Sequence, residues 1–248
     1  MSEGAVHPDF DDLYRDTRLV DGAPLSTPWD IGRPQPVVEQ LVAYGALRGE
    51  VLDPGTGPGH HAIYYAAHAY SATGIDASAA AIERARGNAE TAGVTVDFQV
   101  ADATVLDGFE GRFDTVVDCA FYHVFADDEQ VQARYLQALH RATRPGARLF
   151  MFEFGVQNIN GWIWDGLPAG NFQRMLPAAG WRLDYLGTTT YQATFTAETF
   201  ARMAQAQEQA DWRKRLKTVL DRFTVIEPLL DSHRVHLPFW MAHATRVD

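Results

Sequence analysis

The sequence predicts a doubly wound α/β domain with a seven-stranded, mostly parallel sheet. Short apolar runs alternate with helical segments, and a glycine-rich turn follows the first run. An acidic residue stands at or just after the end of each of the first three apolar runs. Strands separated by helices of about ten residues indicate βαβ units, which place successive strands in one parallel sheet. The predicted strands are residues 50–53, 72–76, 94–100, 113–120, 148–154, 181–186 and 238–246.

Helices between these strands are predicted from capping residues and from the spacing of apolar side chains. A first helix covers residues 36–44, because the proline that begins it suits a first helical turn. Residues 62–69 form a helix rich in alanine and tyrosine, and Ser78 caps the next one. Three acids at residues 127–129 favour the positive end of a further helix, and Pro145 is expected to end it.

The alternation assigns residues 1–248 to one domain, because all the strands fit into a single sheet. Residues 1–35 contain several prolines and no regular period, and they predict an irregular N-terminal cap. Residues 155–177 and 196–232 exceed what such a sheet needs. Long connections of this kind usually carry function, so these two segments are predicted to be lids or inserts over a site.

Composition and charge exclude several classes of partner. With 21 Lys and Arg against 32 Asp and Glu, the net charge is −11 when histidines are neutral. Nucleic acids and anionic membranes are bound mainly through their phosphates, so neither is expected as a partner. No apolar run approaches the roughly 18 residues of a membrane-spanning helix, and the acidic N-terminus does not resemble a secretory signal. A cytoplasmic protein is expected. The lone cysteine, Cys119, excludes an internal disulfide framework.

A glycine-rich turn lies directly between the first predicted strand and the helix after it. Its residues are Asp53, Pro54, Gly55, Thr56, Gly57, Pro58 and Gly59. Glycine permits positive φ and a close approach of a ligand to the backbone, and amides at a helix start favour a carboxylate or phosphate. The spacing is G-x-G-x-G and not the G-x-G-x-x-G of nicotinamide-binding proteins. The acid before the glycines disfavours a pyrophosphate and favours a partly cationic ligand.

Two further acids follow the next two predicted strands. Asp76 ends the second strand, where a carboxylate can accept hydrogen bonds from both ribose hydroxyls. Asp102 follows the third strand, where it can accept from an adenine amino group. Together with Asp53, these acids lie at three successive strand ends. They predict one site for a cationic ligand that carries ribose and adenine.

On these residues the sequence resembles the class I S-adenosylmethionine-dependent methyltransferases, over residues of about 36–155. The resemblance implies a Rossmann-like methyltransferase fold, S-adenosylmethionine as the methyl donor and S-adenosylhomocysteine as the product. It implies that Asp53 and the glycines hold the methionine end, Asp76 the ribose, and Asp102 with Ala103 the adenine edge. The full set of expected donor-binding residues is Trp29, Asp53, Gly55, Thr56, Gly57, Gly59, Asp76, Ala77, Asp102, Ala103 and Asp118.

Two members of this set have alternative interpretations. Residues 28–36 also resemble the N-terminal segment of thiopurine and thiol methyltransferase-like small-molecule enzymes, which folds over the cofactor. The resemblance places Trp29 against the methionine end, although a tryptophan can also simply pack the cap onto the sheet. Asp118 ends the fourth strand, where it contacts the methionine ammonium or caps the next turn.

The end of the fourth strand is also where this fold places the methyl group. His123 can accept a proton from a hydroxyl or thiol, and Tyr122 can orient the acceptor. A histidine at this position can also do no more than hydrogen-bond the backbone. The remaining histidines lack an acid or cysteine pattern, so no metal is expected. Candidates for an apolar acceptor pocket, or for the core of a lid, are Trp162, Trp164, Phe172 and Met175.

The function predicted from these residues is transfer of a methyl group from S-adenosylmethionine to oxygen or sulfur of a small, apolar molecule. A carboxylate, a phenol or a thiol fits this description. One alternative is a nicotinamide-dependent oxidoreductase on the same fold, which requires the G-x-G-x-x-G turn. Another is a non-catalytic S-adenosylmethionine-binding module, because binding and catalysis share the same motifs.

Overall fold

The computed structural model of the chain describes residues 10–16, 18–20, 23–24, 27–157, 166–206 and 210–248. Its strands are β1 (Leu19–Val20), β2 (Ala23–Pro24), β3 (Glu50–Pro54), β4 (Ser71–Asp76), β5 (Asp97–Val100), β6 (Phe113–Cys119), β7 (Thr143–Phe154), β8 (Trp181–Thr194) and β9 (Arg234–Arg246). Its helices are α1 (Phe10–Arg15), α2 (Pro36–Ala43), α3 (His60–Ala67), α4 (Ala79–Ala92), α5 (Glu129–Ala142), α6 (Ala169–Ala178), α7 (Ala197–Ala206) and α8 (Ala210–Ile226). Strands β1 and β2 form a small hairpin apart from the main sheet.

The main sheet has seven strands in the order β5-β4-β3-β6-β7-β9-β8. Strands β3 to β7 pair in parallel, whereas β9 runs antiparallel to both β7 and β8. The chain builds outward from β3 first through β4 and then, on the other side, through β6. The carboxyl ends of β3 and β6 therefore border a crevice where the direction of strand addition reverses. The predicted doubly wound sheet is confirmed.

Side chains from helices cover the two faces of the sheet. One buried cluster joins Val38 of α2 and Tyr65 of α3 to Phe152 of β7, and a second joins Leu139 of α5 to Trp181 of β8. Burying one large apolar side chain contributes about 1.5–3 kcal/mol, so these clusters hold the helices on the sheet. None of the helices in the described part of the chain combines the length and the apolar character that a bilayer crossing requires.

Helix capping agrees with the sequence at two positions. The Ser78 Oγ atom accepts a hydrogen bond from the backbone of Ala81 at 3.1 Å, which confirms it as the cap of α4. Asp128 Oδ1 accepts from the backbone N–H groups of Gln130 at 2.9 Å and of Val131 at 3.1 Å, so it caps α5. Each such cap stabilises its helix by about 1 kcal/mol.

Several predicted boundaries are wrong, three of them near the site or the sheet edge. Strand β8 continues to Thr194 and not to residue 186, and β9 already begins at Arg234 and not at residue 238. The added part of β8 is rich in threonine and half-exposed, so it lacks the apolar run by which the other strands were found. Helix α5 ends at Ala142, because Thr143 takes an extended conformation and Pro145 already lies within β7.

The N-terminal cap is attached to the end of β8. Gln35 has a side chain that is only 1% exposed. Its Nε2 atom donates to the carbonyl of Gln192 at 2.8 Å, and its Oε1 atom accepts from the N–H of Gln192 at 2.8 Å. The N–H of Thr194 donates to the carbonyl of Pro28 at 2.7 Å. These contacts hold residues 27–35 beside the crevice.

The segments predicted as lids contribute to the core. Phe172 and Met175 belong to α6, which packs against β8, and both side chains are buried together with Trp181. The prediction that they line an acceptor pocket is therefore wrong. Phe223 of α8 joins the cluster on the other face. Trp162 and Trp164 lie outside the described residues.

Replacing Gln35 tests the attachment of the cap. Gln35→Ala removes both hydrogen bonds to Gln192, and we expect the free energy of unfolding to fall by about 1–3 kcal/mol. Urea denaturation monitored by circular dichroism measures this. The exposed neighbour Gln40 provides a matched control, and Gln40→Ala should change stability by less than about 0.5 kcal/mol. Equal stability of the two variants would contradict the attachment.

Candidate active site

A cavity of about 600 Å³ lies at the carboxyl ends of the parallel strands, under the N-terminal cap. It occupies the crevice between β3 and β6. Predicted site residues that line it are Trp29, Gly55, Thr56, Gly57, Asp76, Ala77, Asp102, Ala103 and His123. The topology therefore brings together most of the residues that the sequence placed at successive strand ends.

The glycine turn after β3 requires glycine at two positions that border the cavity. Gly55 has φ +65° and Gly57 has φ +52°, a region that other residues rarely adopt. A Cβ atom at Gly55 would lie 2.3 Å from the ring of Phe121, and one at Gly57 would lie 2.7 Å from the Tyr14 hydroxyl. The bare backbone of the turn is therefore in contact with the walls of the cavity.

The carboxylate of Asp76 is held in place by the backbone on both sides. Its Oδ2 atom accepts from the N–H of Gly57 at 3.0 Å, and its Oδ1 atom accepts from the N–H of Ser78 at 2.9 Å. Each carboxylate oxygen has a second lone pair, which leaves two acceptors for a ligand in the cavity. Burial raises the pKa of Asp76 above its usual value. This geometry suits the two neighbouring hydroxyls of a ribose.

Asp102 lies at the far end of the cavity, after β5. Its Oδ1 atom accepts from Thr104 through the backbone N–H at 2.8 Å and through the hydroxyl at 2.7 Å. The residue is exposed, and it lines the cavity. Ala103 beside it is buried and lines the cavity. An apolar wall next to a carboxylate suits the edge of a purine ring.

Asp53 and Gly59 lie beneath the turn and do not line the cavity. Asp53 is 2% exposed, and its Oδ2 atom accepts from the Thr56 hydroxyl at 2.6 Å. Burial raises the pKa of Asp53 to about 7. Gly59 begins α3, and a Cβ atom there would meet the Phe98 ring at 2.6 Å. Both residues shape the turn, and direct contact with a ligand, as predicted for them, has no support in this arrangement.

Tyr122 and Asp118 lie outside the cavity lining, in contrast to the positions expected for them. Tyr122 is 1% exposed, and its hydroxyl lies 3.1 Å from both Gln132 Oε1 and Asn171 Oδ1, inside the core. Asp118 is 0% exposed, and its Oδ2 atom accepts from the Tyr135 hydroxyl at 2.7 Å. This arrangement gives no support to Tyr122 as the residue that orients an acceptor or to Asp118 as a contact of the methionine ammonium.

His123 lines the cavity and is paired with a buried acid. Its Nδ1 atom lies 2.8 Å from Glu153 Oε2, and its backbone N–H donates to the same oxygen at 3.0 Å. Glu153 is 0% exposed. Burial lowers the pKa of His123 to about 4 and raises the pKa of Glu153 to about 7. A neutral imidazole that donates from Nδ1 keeps the Nε2 lone pair free to accept a proton.

Glu153 is the functional residue that the sequence reasoning missed. It stands inside the apolar run of residues 148–154, which was predicted as the fifth strand. A lone acid in such a run needs a partner, because burying an unpaired carboxylate is costly. This signal marks Glu153 as unusual, but the pairing with His123 arises only because β7 lies beside β6.

Apolar side chains line much of the cavity. They come from the turn after β6, from β7 and from the ends of β8 and β9: Phe125, Phe154, Tyr191, Ala193, Phe195 and Leu237. Of these, Phe154 packs edge-on against the ring of His123, with 4.8 Å between the ring centroids. Cys119 lies at the cavity floor, where burial raises its pKa well above the usual value, so the group remains a thiol. Tyr191 was missed because the predicted sixth strand ended too early.

Asp30 joins the cap to the two helices that border the cavity. Its Oδ1 atom lies 3.0 Å from His60 Nε2, and its Oδ2 atom accepts from Arg84 Nη2 at 3.0 Å. The N–H of Gly32 also donates to Oδ1 at 3.0 Å. Trp29 precedes this acid, lines the cavity and also packs against the core. The packing of the cap onto the core is therefore confirmed for Trp29, and its contact with the methionine end of a donor stays a prediction.

Comparison with known proteins identifies the family. Residues 51–146 match the model of a methyltransferase domain. The chain is 31% identical over 118 residues to an uncharacterized methyltransferase, C1348.04, of Schizosaccharomyces pombe, a match that covers 48% of this chain and 80% of the relative. The chain belongs to the class I S-adenosylmethionine-dependent methyltransferases. The fold and family implied by the glycine turn and the strand-end acids are confirmed.

Two relatives with more specific names match over a shorter share of their length. The chain is 38% identical over 128 residues to 2-heptyl-1-hydroxyquinolin-4(1H)-one methyltransferase of Mycobacteroides abscessus, covering 51% of this chain and 56% of the relative. It is 30% identical over 139 residues to probable thiol methyltransferase 2 of Arabidopsis thaliana, a match that covers 55% of this chain and 60% of the relative. The matches therefore span less than two thirds of these relatives.

A solved structure matches the methyltransferase over nearly its full length. It is described as "Conversion of a Disulfide Bond into a Thioacetal Group during Echinomycin Biosynthesis". The TM-score is 0.72 at 28% sequence identity, and the match covers 96% of this chain and 91% of the other. The cap and the long β8–β9 pair thus belong to an arrangement that another member of the fold shares.

Substitution of Asp76 tests the donor end of the cavity. Asp76→Ala removes two charge-assisted acceptors, and we expect the affinity for S-adenosylhomocysteine to fall about 10- to 100-fold, from about 1.5–3 kcal/mol of lost interaction. Isothermal titration calorimetry measures this. Asp107→Ala, at an exposed position away from the cavity lining, serves as the control and should leave the affinity unchanged. Unaltered binding by a folded Asp76→Ala protein would refute the assignment.

Proposed function

We propose that this protein transfers the methyl group of S-adenosylmethionine to an oxygen or sulfur atom of a small apolar molecule. One observation carries the proposal: Asp76 and the base His123 line the same cavity. The donor-end groups would hold the cofactor, and the apolar end would hold the acceptor next to the histidine. Direct displacement between two bound partners requires this arrangement.

The donor end fits S-adenosylmethionine in the chemistry of its groups. Asp76 would accept from the ribose hydroxyls, and Asp102 with Ala103 would receive the adenine. The turn at Gly57 would approach the methionine end, with Trp29 covering it from the cap. When bound, the cofactor supplies an electrophilic methyl group on a sulfonium. No metal is part of this proposal.

His123 would act as the general base. Methyl transfer is an in-line displacement, so alignment of the acceptor and exclusion of water come first. An acceptor that arrives protonated must also lose its proton, and His123 Nε2 would take it. Glu153 would hold the Nδ1 proton and balance the charge of the imidazolium. A positioned base contributes about 10²–10⁴-fold to the rate.

The acceptor would be apolar and carry one acidic group. Aromatic and aliphatic side chains surround the space next to His123, and an apolar lining with one polar group favours an apolar ligand held in one orientation. The names of the two relatives, a hydroxyquinolone methyltransferase and a probable thiol methyltransferase, support an oxygen or sulfur acceptor. A phenol, a thiol or a carboxylic acid meets these requirements.

We also propose that residues 1–248 act as one cytoplasmic domain in which the peripheral segments enclose the site. Residues 1–35 would cover the donor through Trp29 and Asp30. Parts of the segments 155–177 and 196–232 would complete the enclosure around the acceptor. Phe195, which directly precedes the second segment, lines the cavity.

A panel of acceptors tests the proposed function. The purified protein is incubated with S-adenosylmethionine labelled in the methyl group and with phenols, thiols, fatty acids, amines and RNA in separate reactions. We expect label in an oxygen or sulfur product. Transfer only to RNA or only to amines would contradict the proposal. Tight donor binding without any transfer would favour a non-catalytic binding module.

Replacing His123 tests the base. His123→Asn should lower kcat about 10²–10⁴-fold with a weakly acidic phenol, because no group then accepts the phenolic proton. With an acceptor that is already ionised at the assay pH, the loss should be much smaller. His68→Asn, at an exposed helix end, is the matched control and should retain full activity. Equal losses with both acceptors would contradict the role of base.

The rate should depend on pH through Glu153. The active form contains ionised Glu153 and neutral His123, and as the pH falls the carboxylate is protonated first, near its pKa of about 7. With a phenol that stays protonated over the range, kcat/KM should therefore fall about tenfold per pH unit below pH 7. Glu153→Gln should abolish this fall of kcat/KM at acidic pH and should lower the value that kcat/KM reaches at higher pH. A wild-type limb near pH 4, the lowered value for His123, would contradict the assignment.

A further inference from the structure

Two fully buried carboxyl groups lie side by side behind His123. Asp118 belongs to β6 and Glu153 to the neighbouring β7, and both are 0% exposed. The N–H of Phe121 lies 3.2 Å from Asp118 Oδ1 and 3.2 Å from Glu153 Oε1. The N–H of Tyr122 lies 3.3 and 3.1 Å from the same two oxygens. Because they share two donors, these oxygens are adjacent, and a proton on either carboxyl group can form a hydrogen bond to the other.

The surroundings of this pair cannot support two negative charges. The titratable groups that face it are Tyr135 on α5, Tyr122 and His123 on the turn after β6, Asp53 on β3 and Cys119 on β6 itself. Within the described ranges, the ion pair formed with these carboxyls is that of His123 with Glu153. Two adjacent carboxylates without solvent repel each other, and such pairs hold one proton between them.

The hydrogen bonds indicate which carboxyl holds the proton. Glu153 accepts from the Nδ1 atom and the backbone N–H of His123 in addition to the two shared N–H groups. Among the described residues, Asp118 has the Tyr135 hydroxyl as its single unshared donor. The negative charge is therefore better stabilised on Glu153. Burial raises the pKa of Asp118 well above its usual value, which agrees with a protonated acid.

We propose that Asp118 is a carboxylic acid that donates its proton to Glu153, so that Glu153 is the single anion that orients His123. Asp118 is thus a positioning residue for the base. Its role rests on the proposed function of His123, although the protonation of the pair is a property of the protein alone. The proton on Asp118 stays in place during turnover, and the proton from the acceptor leaves through His123.

Infrared spectroscopy tests the protonation without any turnover. A protonated carboxylic acid has a carbonyl stretch above the amide region, and we expect it in the difference spectrum of wild type minus Asp118→Asn at a pH of about 9, where Glu153, with a pKa of about 7, is ionised. The band should persist in Glu153→Gln, which leaves Asp118 protonated. A band that persists in Asp118→Asn and disappears in Glu153→Gln would place the proton on Glu153 and overturn the proposal. Absence of the band from wild type would also overturn it.

A second variant identifies the acid even if Asp118→Asn does not fold. Tyr135→Phe keeps both carboxyl groups and removes the hydroxyl that donates to Asp118 Oδ2. Losing this hydrogen bond should shift the frequency of the same carbonyl band while leaving its intensity. An unshifted band would mean that the protonated acid is not Asp118, which contradicts the proposal.

The pH profile tests the consequence for His123. The amide of Asn is a neutral donor like the protonated acid, so Asp118→Asn should keep kcat/KM within about threefold of wild type and leave the acid limb in place. Asp118→Ala removes the donor, and the limb should move to higher pH because the Glu153 anion is less stabilised. If Asp118→Asn instead loses activity and the limb as Glu153→Gln does, Asp118 carries the charge and the proposal fails. If the wild-type protein shows no turnover with any acceptor, the proposed function is refuted, but the infrared spectra still decide whether Asp118 is protonated.

Discussion

The arrangement of the site depends on the position of β3 between β4 and β6. Parallel pairing on both sides brings the carboxyl ends of the three strands to one edge, and the chain must leave them in opposite directions. A crevice at this point is a geometric consequence. The turn at Gly55 and Gly57 can border the crevice closely because it carries no side chains there. Asp76 is then fixed by the same turn, through the N–H of Gly57.

The second half of the cavity depends on the antiparallel end of the sheet. The extended β8–β9 pair projects beyond the parallel strands and supplies Tyr191 and Leu237 as apolar walls. Gln35 holds the cap against this extension, so that donor and acceptor ends are enclosed by one continuous structure. An apolar wall of this kind is consistent with an acceptor that is recognised by its apolar body and by one acidic group.

The sequence predicts the parts of the site that neighbouring residues along the chain determine, and not those that contacts between distant strands determine. The glycine turn, Asp76 and Asp102 were predicted because a strand, a turn and an acid stand next to each other along the chain. The sequence does not predict the extension of β8, because its threonines give no pattern of apolar side chains. These residues form a strand because they pair with β9. The burial of Asp118 and Tyr122 also depends on distant neighbours. Glu153 gains its role only from the contact between two strands.

The central claim is that donor and base meet in one cavity, with the free nitrogen of His123 directed at the reacting atom. A crystal structure with bound S-adenosylhomocysteine tests this most directly. We expect the ribose on Asp76 and the sulfur atom on the side of the cavity that holds His123, with Nδ1 still on Glu153 and Nε2 facing the position of the lost methyl group. A ligand bound outside the crevice, or a His123 turned away from the sulfur, would contradict it.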